Sequence, residues 1–345
     1  MWTREQVQLG DFVRAGDRQL TESWFRFVEN RVDPFRVAAE FSREIGLEFH
    51  ACYRLGWRPF YWPPPFDEYN DGGFYDKHPE LRCQGRDGQP APGISFVFPE
   101  THDYVLSLVD EMAAYPIDGI SILYNRQPPF LEYEGPAVDG FRNQYGEDPR
   151  NLNTSDPRWL SYRSRYLTIF MRRLRETLQT AARRRSQTRP LPVTAWVFGS
   201  AQENLLHGID IQTWVAEKLV DTLVPYTSAK NLFSFEPAWE DPRDVAYWIK
   251  LTQGTNCQLA LNVMPRNLES EQYLRKAKML YGAGVEQLAF WDTAIAGGKA
   301  VETLRRLGHK QEIGDWLAEE GSLLPPQSFL PLRKLGDWKL DYIPE

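Results

Sequence analysis

At 345 residues, the chain can hold one large α/β domain or two ordinary ones. Its net charge of -7 and pI near 5.5 argue against a nucleic-acid or anionic-membrane partner, which would call for a basic stripe. Three scattered cysteines, Cys52, Cys83 and Cys257, are too few for a disulfide framework or a zinc site.

Residues 1–32 hold an amphipathic piece, Arg18 to Asn30, but no convincing strand. The start, Met1-Trp2-Thr3-Arg4-Glu5, is charged rather than signal-like, and no run of ~18 apolar residues follows anywhere. The compartment stays open. Asp33-Pro34 opens a helix to Glu44, and a first strand runs from Leu47 to Arg54. Residues 55–99 read as one long loop with Trp57, Tyr61, Trp62 and three consecutive prolines, a length that usually carries function. Pro99 to Ala114 is a helix with Val105, Leu108, Val109 and Met112 on one face.

The next strand, Pro116 to Arg126, has a turn dipeptide, an apolar body and an abruptly polar end. Gln127 to Pro157 reads as a second long loop carrying Glu132 and Glu134. Asp156-Pro157 caps a helix to about Arg184, and Pro192–Gly199 is the third strand. After a loop containing Glu203, Asp210 opens a short helix, and Val220–Tyr226 is the fourth strand. A loop with Glu236, the helix Pro242–Thr252, the strand Cys257–Met264, the helix Ser270–Gly282 and the strand Val285–Asp292 follow. Lys299–Leu307 is a last helix before a Pro-rich tail.

Strand, loop and helix repeated about six times predict parallel βα units. A doubly wound sheet is the competing arrangement. The long loops all follow strands, and no Gly-x-Gly-x-x-Gly turn follows any of them. That favours a (β/α)8 TIM barrel, whose eight strands exceed the six found. The expectation is therefore an α/β barrel occupying 33–310, with its first one or two βα units missing or degenerate. A segment 1–32 precedes it and a tail 311–345 follows.

The run Asp118-Gly119-Ile120 with Tyr124-x-Arg126-x-Pro128 resembles glycosyl-hydrolase-like family 10, a TIM-barrel family of glycosidase-like proteins. His78-Pro79-Glu80, Asp156-Pro157-Arg158-Trp159 and Gly208-Ile209-Asp210 with Trp214 fit the same layout, across roughly 33–310. The resemblance implies a glycoside hydrolase acting on a poly- or oligosaccharide at the C-terminal face of the barrel. It also implies an acid in the second half of the Asp-Gly-Ile strand, where this chain has Leu123.

Glycoside hydrolysis needs two carboxyl groups flanking the bond. Glu236, Asp292 and Glu203 stand just beyond strand ends and are the candidate catalytic groups. Each could instead cap a helix or pair with an arginine. Asp118, at the start of its strand, reads as a structural turn cap. Among 12 Trp, 16 Tyr and 19 Phe, most fill a core, but strand-end aromatics can stack on sugar rings. The candidate substrate-binding residues are Tyr53, Arg54, Tyr124, Asn125, Arg126, Trp196, Asn262, Arg266 and Trp291. Three arginines would suit an acidic sugar, or hold the barrel mouth in an internal ion-pair network.

The five histidines lack metal-ligand spacing and no Gly-x-Ser-x-Gly elbow occurs, so no metal, cofactor or serine nucleophile is expected. The expected partner is a carbohydrate, with neither nucleic acid nor membrane; the assembly state is open. Leu123 raises the alternative of a non-catalytic carbohydrate-binding barrel. A polysaccharide lyase, with an Arg neutralising a uronate and a Tyr or His taking the proton, is a further alternative.

Overall fold

The computed structural model describes residues 15–55, 74–126, 128–227, 238–263, 268–291, 303–304, 306–318, 334–335 and 338–339. Helix α1 (Ala15–Glu29) absorbs the amphipathic N-terminal piece. Helix α2 (Pro34–Glu44) starts where Asp33 accepts the N–H groups of Phe35 and Arg36, both at 3.1 Å, as an N-cap should. The pair is thinly covered: Trp24, Val37, Phe41, Ile45 and Leu47 are all exposed.

Strand β1 (His50–Arg54) comes next. The stretch read as one long loop contains, in its described part, a helical turn α3 (Phe74–Lys77) and an antiparallel hairpin, β2 (Arg82–Gln84) with β3 (Pro90–Ile94). Such short, proline-bearing strands leave almost no periodic signal. Helix α4 (Pro99–Ala113) leads to β4 (Gly119–Leu123), buried at all five positions.

The second expected loop also hides a helix, α5 (Gly135–Tyr145). Its Gly135 start and internal Gly140 depress helix propensity. It forms because Ala137, Val138 and Phe141 bury one face, and Gly146 ends it in the left-handed conformation, φ 74°. The long α6 (Pro157–Arg184) then crosses to β5 (Val193–Phe198). Short helices α7 (Ala201–Leu206) and α8 (Ile211–Ala216) precede β6 (Thr222–Tyr226). Glu203 thus lies on a helical turn, not in the loop the sequence suggests. The described chain continues with α9 (Pro242–Thr252), β7 (Gln258–Asn262), α10 (Ser270–Gly282), β8 (Gln287–Ala289) and α11 (Ile313–Ala318).

The fold is α/β, with a parallel sheet of six strands in the order β1-β4-β5-β6-β7-β8. Each strand lies beside the next sheet strand in the chain, so the described order has no reversal. A doubly wound sheet requires one, at its topological switch point. Among the described residues β1 and β8 are not paired to each other.

Two carboxylates pin the strand starts. Asp118 accepts the Phe49 N–H at 2.9 Å, just before β1. Asp221 accepts the Val193 N–H at 2.7 Å and pairs with Arg175 at 2.7 Å. The Asp-Gly-Ile motif is structural here, as expected for Asp118. Gly119 is part of it, because a Cβ there would lie 2.5 Å from the His50 ring.

Alternation then divides the sheet into two faces. Ile120, Ile122, Tyr124, Ala195, Val197, Leu223, Leu259 and Leu261 share one apolar cluster with the helical Phe170, Leu174, Trp214, Trp248 and Leu274. Ile313 of α11 belongs to the same cluster. The opposite face carries Ser121, Leu123, Trp196, Val224, Tyr226, Ala260 and Asn262.

Candidate active site at the strand ends

That opposite face brings aromatic groups together at the C-terminal ends of three strands. Trp196 lies edge-on to Trp291, ring centroids 5.3 Å apart, and 6.4 Å from Tyr226; Tyr226 and Trp291 are 5.6 Å apart. The Trp196 indole N–H donates to Ser121 Oγ at 3.0 Å, which fixes the ring across to β4. The guanidinium of Arg126, just past β4, sits 5.4 Å from the Trp291 ring centroid. Trp196, Trp291 and Arg126 are half-buried.

Two amides accompany this cluster. Asn125 and Asn262 are fully buried, and among the described residues neither the side-chain oxygen nor the nitrogen of either has a hydrogen-bond partner. A buried orphan of this kind costs about 1–3 kcal/mol. A native structure rarely leaves such groups without a reason.

The strand alternation separates the remaining sequence candidates. Tyr124 points into the helix layer. Its hydroxyl donates to Met171 Sδ at 2.9 Å, and its ring packs against Phe130 and Trp214. It has no exposed face on which a sugar could stack. Tyr53 sits on the same side, lining a gap too tight for water with Leu55, Ile94, Phe96 and Val105. Both tyrosines stand at strand ends, but on the wrong parity. Arg54 is exposed at the end of β1. Tyr226, which ends β6, lies on the same face as Trp196 and Trp291 but is as buried as Tyr124, so it backs the two tryptophans rather than offering a face to a sugar.

Glu203 is half-buried on α7, its own N–H held by the Ser200 cap at 3.2 Å. Glu236, Asp292 and Arg266 lie outside the described residues. The chain just beyond Glu236 is firmly tied. Lys276 donates to the Ala238 carbonyl and pairs with Glu240, while the Trp239 indole N–H donates to the Asn262 carbonyl at 3.0 Å. Trp239 holds a positive φ of 56°, unusual for a bulky residue. Leu123 is buried, in register with Trp196.

A second acidic group lies below the loop after β4. Glu134 is fully buried and accepts the Glu132 N–H at 3.0 Å and the Gln84 N–H at 3.4 Å. Glu132 faces the buried Arg163 at 3.7 Å, and Arg163 also donates to the Leu206 carbonyl. Burial pushes both carboxyls above their ordinary range, Arg163 opposing this at Glu132. The same burial, with Glu134 and Glu132 close by, pushes the Cys83 thiol far up. Cys257 is pushed up to about 12, chiefly by burial and then by Asp221. All three cysteines are free and only Cys52 is exposed. A thiol reagent near pH 7.5 is therefore expected to modify Cys52 alone in the folded protein. Cys83 and Cys257 should react only after unfolding.

Among the described residues no group of three His, Cys, Asp or Glu side chains gathers as a metal site, and no helix is long and apolar enough to cross a membrane. No known family profile matches the chain, and no curated protein sequence matches it. Solved structures do. One is the PgaB (BpsB) glycoside hydrolase domain from Bordetella bronchiseptica. It matches with a TM-score of 0.53 over 79% of this chain and 78% of that domain, at 15% identity. The β-galactosidase from Rahnella sp. R3 matches with a TM-score of 0.51 over 83% of this chain, at 13% identity. This chain spans about half that enzyme's length, 48%. The fold resembles that of glycoside hydrolase domains. The likeness is to such domains in general and does not single out glycosyl-hydrolase-like family 10.

Proposed function

We propose that the protein is a glycoside hydrolase acting on a poly- or oligosaccharide at the C-terminal ends of a (β/α)8-type barrel. The six parallel strands would be its third to eighth. The observation that carries this reading is the pairing of half-buried Trp196 and Trp291, backed by buried Tyr226, with Arg126 and with the amides of Asn125 and Asn262, which have no partner among the described residues. Flat apolar faces beside a few convergent polar groups suit a sugar, whose ring carries C–H patches on its faces and hydroxyls on its rim. The resemblance of the Asp118-Gly119-Ile120 stretch to glycosyl-hydrolase-like family 10 supports the same class.

Glu236 and Asp292 are the proposed catalytic pair, with Glu203 as a reserve acid. One carboxylic acid gives its proton to the departing glycosidic oxygen. The other, ionised, either activates water or attacks the anomeric carbon to form an ester that water then hydrolyses. Release of reducing ends from a broad polysaccharide panel tests the reading. Trp291→Ala should weaken oligosaccharide binding about tenfold or more, ~1.4 kcal/mol, while thermal unfolding stays cooperative.

A second reading is a carbohydrate-binding barrel without catalysis. Leu123 favours it, being a buried apolar side chain on the ligand-facing side where the resemblance leads one to expect an acid. Glycan binding with no reducing-end release from the wild-type protein would establish it in place of the hydrolase.

A further inference from the structure

We propose that the sugar residue held beside Trp291 carries a carboxylate and that Arg126 is the group that reads it. This rests on the carbohydrate reading above and narrows it to acidic glycans.

On α6 every guanidinium group finds an oxygen acceptor. Arg163 is answered by Glu132 and the Leu206 carbonyl, Arg172 by Glu217 at 2.7 Å, and Arg175 by Asp221 at 2.7 Å. Arg126, half-buried at the end of β4, has no hydrogen-bond or ion-pair partner among the described residues; its guanidinium lies over the Trp291 ring. The chain has 47 acidic against 40 basic residues, so a shortage of carboxylates does not explain the gap.

The neighbouring residue makes the same point independently. The Asn125 amide is fully buried, with both polar atoms unpartnered among the described residues. An arginine and an amide left unmatched at one strand end are complementary to an acceptor-rich planar anion. A guanidinium offers two parallel N–H donors spaced for the two oxygens of a carboxylate, and an amide NH2 adds a third. A neutral sugar stacked on Trp291 would cover this cation and supply no counter-charge, which costs free energy. A uronate would satisfy the cation while its ring uses the aromatic faces.

The test pairs each acidic oligosaccharide with its own carboxyl-reduced form, so linkage, length and ring stacking are shared and only the charge differs. Oligomers of galacturonate, mannuronate and glucuronate are titrated calorimetrically against the full chain at low salt. At least one uronate should bind tenfold or more tightly than its reduced partner, and the ratio should shrink in 0.5 M salt. Arg126→Gln should bring the ratio close to one, chiefly by weakening the acidic ligand. Arg126→Lys, which keeps the charge and loses the fork, should fall between. Equal affinity for both forms in the wild-type protein overturns the proposal and leaves the carbohydrate reading standing. So does an equal loss for both forms in Arg126→Gln. Failure of every member of the panel to bind, with neutral glycans binding elsewhere on an array, also overturns it. Failure of all glycans sinks both.

Discussion

Glu236→Gln and Asp292→Asn are each expected to lower turnover about 10²–10⁴-fold, the range that a positioned proton donor or acceptor contributes. Oligosaccharide binding should change little. Both substitutions keep size and hydrogen-bonding capacity while removing the transferable proton or the negative charge. Steady-state rates on the best substrate from the panel, beside binding isotherms, separate the two effects. If neither variant slows turnover by even tenfold, these carboxyls are not the catalytic pair. Glu203→Gln is the comparison variant, and a large effect there alone would move the acid to α7.

The second large effect is on stability. Glu134 joins the loop after β4 to β2 through the Gln84 N–H, to its own loop through the Glu132 N–H, and to Ser95. Glu134→Ala would leave buried donors unmatched and should cost about 3 kcal/mol. Glu134→Gln should cost less, since the amide oxygen still accepts. The pH dependence has a definite sign. Burial raises the folded-state pKa above the ordinary 4.5, so the folded protein binds this proton more tightly than the unfolded chain does. Its stabilising contribution is complete below about pH 4.5 and is lost as pH rises through the higher folded value. Thermal midpoints from pH 4 to 8 should therefore decline less with rising pH in Glu134→Gln than in the wild type. Half-buried carboxylates such as Asp148 and Asp241, which arginines hold below their usual range, act in the opposite direction at lower pH. They are common to both proteins and cancel in the difference.

The architecture was largely legible in the residues because buried parallel strands are short apolar runs between turn signals, and all six were found in order. Pro-headed helices such as Pro157–Arg184 and Pro242–Thr252 announced themselves through Asp caps. The hairpin Arg82–Ile94 and the helices Gly135–Tyr145 and Ala201–Leu206 did not. Their signals are tertiary: a Glu134 latch, a Phe141 packed on Trp159, an Asn204 side chain bonded to Phe198 on both its N–H and its carbonyl. At the strand ends, residue type marks Trp196 and Trp291, which the structure brings together, but it carries no information on parity. Tyr53 and Tyr124 were grouped with Trp196 and Trp291, although one residue's shift along a strand reverses its face. Tyr226 ends its strand on the same face as the two tryptophans, but its full burial is a tertiary fact with no local signal. Glu132, Glu134 and Arg163 were visible as charges, but nothing local in the sequence indicates that they are buried together.

The most direct test of the account is a crystal structure of Glu236→Gln with a bound oligosaccharide. A sugar ring stacked on Trp291 or Trp196, within hydrogen-bond distance of Arg126 and with at least one of the Asn125 and Asn262 amides engaged, is the result predicted. An oligosaccharide seated anywhere else, for instance in the cleft between α10 and α11 lined by Arg275, Lys278, Met279 and Leu317, with these strand ends empty, would contradict it.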